Sequence, residues 1–394
     1  MSRISPSLKI WWLAVVFIVI ILLVIFAANY FGVRPTVTSG GVDGIVLPEG
    51  FVIDTYAEDL GSTLLSFGGP SPGPRMMMIK DGLLFVSIPN KGLIAVLPDR
   101  DEDHVADEVQ VFISDLDYPH GIDYYDGWFY IAEESRVVRV RDDNSDLVSD
   151  NGSLEVLIDN LPTGGHYTRT VKIHDGEIYL GMGSSCNACY ETNDRRAAIS
   201  KSDLDGSNLT VFASGLRNPV GLAFHPLTGN LYVTENGRDW LGDDLPPDEI
   251  NLIVEGGDYG WPDCYGKNIF DTDFNNSEHT GNPCNDTGKI PGFVDLQAHS
   301  APLGLTFYDG ESFPEAYRGD LFVCFHGSWN RKEPTGYRIV NIDMDTRTVN
   351  DFATGWLGDA TISGRPVDVI LADDGSLFVS DDNAGVIYRI YYTG

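Results

Sequence analysis

Eight histidines and 26 lysines and arginines are the groups in this chain that can take a proton or hold positive charge near neutral pH. His104 and His279 lie in acidic, loop-like text. His174 and His225 sit in turns before apolar strands, where a solvated imidazole is the ordinary reading. His166 differs. It stands in Gly164-Gly165-His166-Tyr167-Thr168-Arg169-Thr170-Val171, at the head of a strand, where the glycines let backbone and ligand approach closely. His120, His299 and His326 head similar segments, so these histidines either line one pocket or are unrelated loop residues. Arg217 and Asn218 open a strand in Leu216-Arg217-Asn218-Pro219. Residues 238–249 are rich in Asp, Gly and Pro and read as an exposed loop. Its carboxylates and carbonyls suit either a hard cation such as calcium or plain solvation. Arg331 with Lys332, and Arg365, are further cations, each also readable as half of a surface ion pair.

The elements that must position these residues repeat. A turn of Asp-Gly, Gly-Asn or Gly-Asp precedes an apolar, aromatic strand at Asp81-Gly82, Asp126-Gly127, Asp175-Gly176, Gly229-Asn230, Gly319-Asp320 and Asp374-Gly375. Most spacings are roughly 45 to 55 residues, near the period of propeller blades. The long gap between Tyr232 and Phe322 holds an insertion at about residues 263–289. Strands of similar type flank several copies, so the units predict an all-β, six-bladed β-propeller over residues 47–394. Ring closure is expected between Phe51-Val52-Ile53-Asp54-Thr55-Tyr56 and the strand from Val386 to Tyr392.

Four runs carry a resemblance: Leu216-Arg217-Asn218-Pro219, Glu235-Asn236-Gly237, Asp248-Glu249-Ile250-Asn251-Leu252-Ile253 and Tyr259-Gly260-Trp261-Pro262. From about Gly50 onward the chain resembles the pyrroloquinoline-quinone (PQQ) dependent sugar dehydrogenases, the soluble glucose dehydrogenase and sorbosone dehydrogenase group. That family is six-bladed, with its site on one face of the ring. The resemblance implies oxidation of a sugar or aldose, with PQQ and calcium as cofactors and hydride passing to the quinone. His166 holds the place of the general base, followed by Tyr-Thr-Arg where the glucose dehydrogenase has Ser-Gly-Arg. Arg217 is implied to stabilise the reduced cofactor and Asn218 to contact it, with Val220 where the family has a Gln. Arg331, Lys332 and Arg365 match positions that face the cofactor carboxylates, with Val367 in place of a further Arg. Backbone carbonyls of Gly237 and Arg238, the latter often Pro in the family, are implied as calcium ligands. Asp248, Glu249 and Tyr259 match residues that hold a second, structural calcium in some members. Other propellers keep two alternatives open: a calcium-dependent lactonase-like hydrolase, and a cofactor-free binding module.

The rest of the sequence bounds the setting. A net charge of −32 repels phosphate backbones and makes a nucleic-acid partner improbable. The same acidity fits a salty habitat or an acidic extracellular surface. Residues 10–30 carry no charge and are long enough to span a bilayer as one helix. Residues 1–32 are therefore expected to be a transmembrane anchor, or a cleaved signal, with residues 33–46 as a linker. The body would then face outward, attached to the membrane. With no haem motif present, electrons would leave to a separate cytochrome, cupredoxin or quinone. Among five cysteines, Cys264 and Cys284 bracket the insertion and are expected to pair. Cys186-Asn187-Ala188-Cys189 reads as a local structural disulfide or a redox-active pair, and Cys324 as a buried thiol.

Overall fold

The computed structural model describes residues 42–61, 73–150, 152–274, 281–285, 288–358 and 361–394. The expected membrane segment and most of the expected linker lie outside the described residues. Among those described, no helix is long and apolar enough to cross a membrane.

The repeats fold as six sheets set around a channel, five of them four-stranded and antiparallel, the third blade carrying a fifth edge strand, Gly257–Asp258, paired parallel. The first strands are Met77–Lys80, Gly121–Tyr125, Arg169–His174, Pro219–Phe224, Pro302–Phe307 and Pro366–Leu371. Each adjoins the first strands of its two neighbours, and the ring closes between the first and sixth blades. The second strands are Leu83–Ile88, Trp128–Ala132, Glu177–Met182, Leu231–Glu235, Leu321–Phe325 and Leu377–Asp381. The predicted closure is present. Phe51–Ala57 is the outer strand of the sixth blade and pairs antiparallel with Val386–Tyr392, Phe51 opposite Tyr392 and Ile53 opposite Ile390. The packed body starts slightly upstream, with Ile45 buried and Val46 exchanging backbone hydrogen bonds with Thr354.

The hydrophobic core is divided into slabs between adjacent blades. Leu305, Leu321, Val323 and Phe325 of the fifth blade pack on Tyr232, Ile250 and Val294 of the fourth. Second strands are covered on both faces and read as continuous apolar runs. Leu321–Phe325 is buried at every position, whereas the outer strand Glu155–Ile158 is mostly exposed. This burial is what makes the Asp-Gly-apolar repeat so legible.

The first strands of the fourth, fifth and sixth blades each begin with proline and shift register two residues in. A hydroxyl on the second strand fills the gap in two of them. Thr234 Oγ1 accepts from Gly221 N at 2.7 Å and donates to Leu303 O at 2.7 Å. Ser380 Oγ accepts from Asp368 N and donates to Arg75 O at 2.6 Å. Each hydroxyl thus ties one blade to the next. Cys324 occupies the corresponding place in the fifth blade, which explains a fully buried free thiol there.

Because the first strands all start at one end of the channel, the residues just before them share that end. The residues just after the second strands join them there. The connections from third to fourth strands lie at the opposite end.

Candidate active site at one end of the channel

His166 precedes the first strand of the third blade. Its Nδ1 lies 3.0 Å from Ser184 O and 3.1 Å from Ser184 Oγ. A carbonyl accepts only, so Nδ1 carries the proton and Nε2 keeps its lone pair. Burial, then the positive charge of Arg217, lowers the His166 pKa to about 3. The imidazole is therefore a neutral base at any physiological pH. The glycine at 183 permits this placement, since a Cβ there would stand 2.6 Å from His166 Cβ and would also meet Asn218 Oδ1.

Two arginines that the sequence reading did not single out hold the His166 loop. Fully buried Arg169 donates from Nη1 to His166 O at 2.7 Å and Thr168 O at 2.9 Å, and from Nη2 to Pro162 O. Arg196 reaches Gly183 O, Ser184 O, Pro162 O and Thr163 O. These guanidiniums satisfy carbonyls that no strand pairs, a long-range role with no local sequence signal.

Arg217 is buried and its five contacts are all fixed. Nε donates to Asn187 O at 2.9 Å, Nη1 to Asn236 O at 3.1 Å and Gly237 O at 2.8 Å, and Nη2 to Asn187 Oδ1 at 3.0 Å and Asp239 Oδ2 at 3.1 Å. The Gly237 carbonyl expected to face calcium thus already accepts from this guanidinium, which leaves it one lone pair for a cation. The Arg238 side chain turns away and pairs with buried Asp271 at 2.7 Å. That ion pair neutralises the charge that made an arginine beside a calcium position awkward.

The remaining expected residues divide. Arg365 lies at the channel end. Its Nε donates to His326 O at 3.0 Å, its Nη2 to Gly327 O at 2.7 Å, and its guanidinium lies 5.4 Å from the centre of the Tyr337 ring. Arg331 is spent on the rim. It bonds to the carbonyls of Asp243, Ala298 and Glu333 and to Asp244 Oδ1, and so fastens one rim loop to another. Lys332 is exposed beside it. Asp248 and Glu249 are consecutive in a strand and point to opposite faces. Asp248 accepts from Gly237 N and Ala301 N on the site side, whereas Glu249 accepts from Gly266 N and Asn251 Nδ2. Glu249 and Tyr259 line a small cavity of about 20 Å³ with Glu235 and Asn251, and Asp248 is not part of that wall. Of the three residues matched to a second calcium, Glu249 and Tyr259 share this cavity wall and Asp248 faces the other side of its strand.

Burial raises both Asp248 and Glu249 to about 7, and raises Glu235 well above the carboxylate range, with Glu249 adding to it. The folded protein holds protons here that the unfolded chain releases near pH 4, so this contribution is present at low pH and lost as pH rises through 7. Burial also keeps His120, His166 and His326 neutral, which costs stability below about pH 6.5, where the unfolded chain would protonate them. In chelator, the melting temperature should therefore fall between pH 6.5 and 8. Between pH 6 and 8 the unfolding free energy should fall by about 1 kcal/mol for each of Asp248 and Glu249. A melting temperature that rises steadily to pH 8 would contradict this.

Arg75 Nε, His120 Nε2, Thr168 Oγ1, Asn218 Oδ1 and Ser300 Oγ are buried with no hydrogen-bond partner among the described residues. Each stands at the head of a different blade, the first through the fifth, at the channel end that His166, Arg217 and Arg365 occupy. Buried polar groups are ordinarily paired, so this ring of orphans fits a polar ligand with both acceptors and donors. Behind it, Asp382 accepts from Arg75 Nη1 at 2.6 Å and bonds to His326 Nε2 at 2.9 Å.

Among the described residues, two groups of three metal-ligand side chains come close together, Cys186 with Cys189 and Glu191, and Asp99 with Asp101 and Asp103. The first two sulfurs are bonded to each other, and the Asp99 group sits at the opposite end of the propeller. A lactonase-like site needs carboxylate side chains gathered on a cation at the channel, and none of the described residues form one. Both expected disulfides are present, Cys186–Cys189 and Cys264–Cys284.

The described residues thus form a six-bladed propeller with a neutral histidine, buried arginines and unpaired buried polar groups at one channel end. The TrAA12-like family model matches residues 72–393, and the chain belongs to that family of PQQ-dependent sugar dehydrogenases. A Borreliella burgdorferi protein described only as uncharacterized is 36% identical over 298 residues, 70% of this chain and 76% of its own. The PQQ-dependent pyranose dehydrogenase of Coprinopsis cinerea is 26% identical over 350 residues, 71% of this chain. This chain spans only about half, 47%, of that relative's length. The Trichoderma reesei carbohydrate-active enzyme of family AA12 shares the fold, with a TM-score of 0.74 at 21% identity, over 90% of this chain and 99% of its own.

Proposed function

We propose that the chain oxidises a sugar or aldose-type substrate with PQQ, with His166 taking the hydroxyl proton and electrons leaving to a separate carrier. The observation that carries the reading is the set of five orphaned polar atoms at the heads of the first five blades, at the channel end where His166 holds its proton on Nδ1. Arg365, Asn218 and Arg217 would hold the cofactor. Arg365 supplies a permanent cation suited to a carboxylate, and Asn218 Oδ1 an unpaired acceptor. Bound PQQ would supply the hydride-accepting centre, with calcium on the Gly237 and Arg238 carbonyls as Lewis acid. His166 Nε2 accepts the hydroxyl proton, and the resulting imidazolium is stabilised by Ser184 O on Nδ1. The buried Arg217 guanidinium places fixed positive charge where negative charge grows, without reorganising. Trp240 and Trp329, both 66% exposed and edge to face at 5.2 Å, follow Asp239 and precede Asn330, which bond to each other across the rim. Such a pair suits stacking on a sugar ring.

An outward-facing body tethered by residues 1–32 would keep the site near a membrane-side acceptor, in keeping with the uncharged run at residues 10–30. The test loads the full chain with PQQ and calcium and follows fluorescence quenching, then absorbance on adding aldoses. Saturable binding followed by cofactor reduction is expected. Absence of binding at millimolar calcium overturns the reading.

A further inference from the structure

Residues 183–197 join two strands of the third blade without regular structure, yet they supply Ser184, Asn187 and Arg196, which touch His166, Arg217 and the His166 loop. Within them, Cys186–Cys189 closes a loop of sequence separation 3, whereas Cys264–Cys284 has a separation of 20. A bridge across so short a loop removes little entropy from the unfolded chain, so its effect is local. What it encloses is Asn187. The Asn187 backbone carbonyl accepts from Arg217 Nε, and its Oδ1 accepts from both Arg217 Nη2 and Asp239 N, the latter at 2.7 Å. Its Nδ2 donates to Asp239 O at 3.0 Å. Asp239 in turn holds Arg217 Nη2. The same short loop touches the histidine side, because Ser184 Oγ donates to Cys186 O at 2.6 Å while Ser184 O holds His166 Nδ1.

We infer that Asn187, held in place by the Cys186–Cys189 disulfide, is the positioning residue for Arg217, and that breaking this bridge releases the arginine while the propeller stays folded. The inference rests on the reading of Arg217 as a site residue, but its geometry does not depend on the cofactor. Both cysteines are partly exposed, open to an external phosphine or dithiol. Such a reductant gives up two electrons, the S–S bond breaks, and two thiols form with protons from water. Arg217 then loses the two acceptors that fix its Nε edge and keeps only Asn236 O, Gly237 O and Asp239.

The experiment uses the full chain without cofactor, labelled with ¹⁵N-arginine. The Arg217 Nε–H resonance is assigned by its absence from Arg217→Lys. In the oxidised wild type it should exchange slowly with solvent. It should exchange at least about tenfold faster after phosphine treatment and in Cys186→Ser/Cys189→Ser, while Asn187→Ala, which keeps the backbone acceptor of Nε and loses only Oδ1, should speed exchange of the Nη2 hydrogens. It should stay slow in Cys264→Ser/Cys284→Ser before treatment and in Asn187→Asp, which keeps the Oδ1 acceptor. Slow Nε–H exchange persisting in the reduced wild type, together with unchanged Nη2 exchange in Asn187→Ala, overturns the inference. Should the cysteine variant fail to fold, those two samples still decide. Because no PQQ or sugar is present, failure of the dehydrogenase reading leaves this result unaffected. A wild type that oxidises sugars while the exchange pattern is unchanged sinks the clamp alone.

Discussion

His166→Gln in the PQQ-loaded protein should lower kcat by about 10²- to 10⁴-fold, the range that a positioned general base contributes. Glutamine keeps the size and a donor near Ser184 O but has no group that can take a proton. Binding of PQQ itself should change little, since His166 faces the substrate proton and the cofactor's carboxylates look to arginine. The pH profile carries a second check. In the cofactor-free protein, burial and Arg217 hold the imidazole at about 3. The folded state therefore excludes a proton that the unfolded chain takes up below about 6.5, and the base is free through that whole range. An imidazole NMR titration should show His166 neutral at pH 5. A midpoint near 6.5 would mean a solvated histidine, and a kcat within a few-fold of wild type for His166→Gln would remove it from the chemistry.

Arg217→Ala should have the largest combined effect on stability and binding. The substitution strips the donor from the Asn187, Asn236 and Gly237 oxygens and leaves Asp239, whose side chain is 19% exposed, without its cation. Removing one partner of a largely buried pair costs about 3–5 kcal/mol. Chemical denaturation should show a loss of that size, and PQQ affinity should fall well below that of the wild type. Arg217→Lys restores charge but only three donors on a tetrahedral head, so it should recover part of the stability and little of the binding. A loss under roughly 1 kcal/mol for Arg217→Ala would show that the guanidinium is an ordinary surface group.

Much of the fold was legible because propeller blades are local objects. Each blade's second strand is buried on both faces, so sequences such as Leu321-Phe322-Val323-Cys324-Phe325 can only be central strands, and their turn residues recur in phase. The closing partner of Val386–Tyr392 could be named because one strand was left over at the start of the body. The heads of the first strands were legible too. His166, Arg217, Asn218 and Arg365 all lie within three residues before the first strand of the third, fourth or sixth blade, and a ring brings those strand starts to one end.

What the chain alone determined, then, was the repeat, its phase and which residue types stand at each blade's head. Those follow from burial and turn chemistry acting over a few residues. Only the tertiary structure decided how the cations are used. Arg331 and Arg365 both precede or follow a turn in the sequence, yet one is spent bridging rim loops and the other stays at the channel. Arg169 and Arg196 buttress the histidine loop, and Arg238 is neutralised by Asp271, 33 positions away. The Asn187 clamp on Arg217 spans 30 positions and two blades. A hydrogen bond reads distance in space, and no spacing along the chain reports which carbonyl a guanidinium will reach once six sheets have closed into a ring.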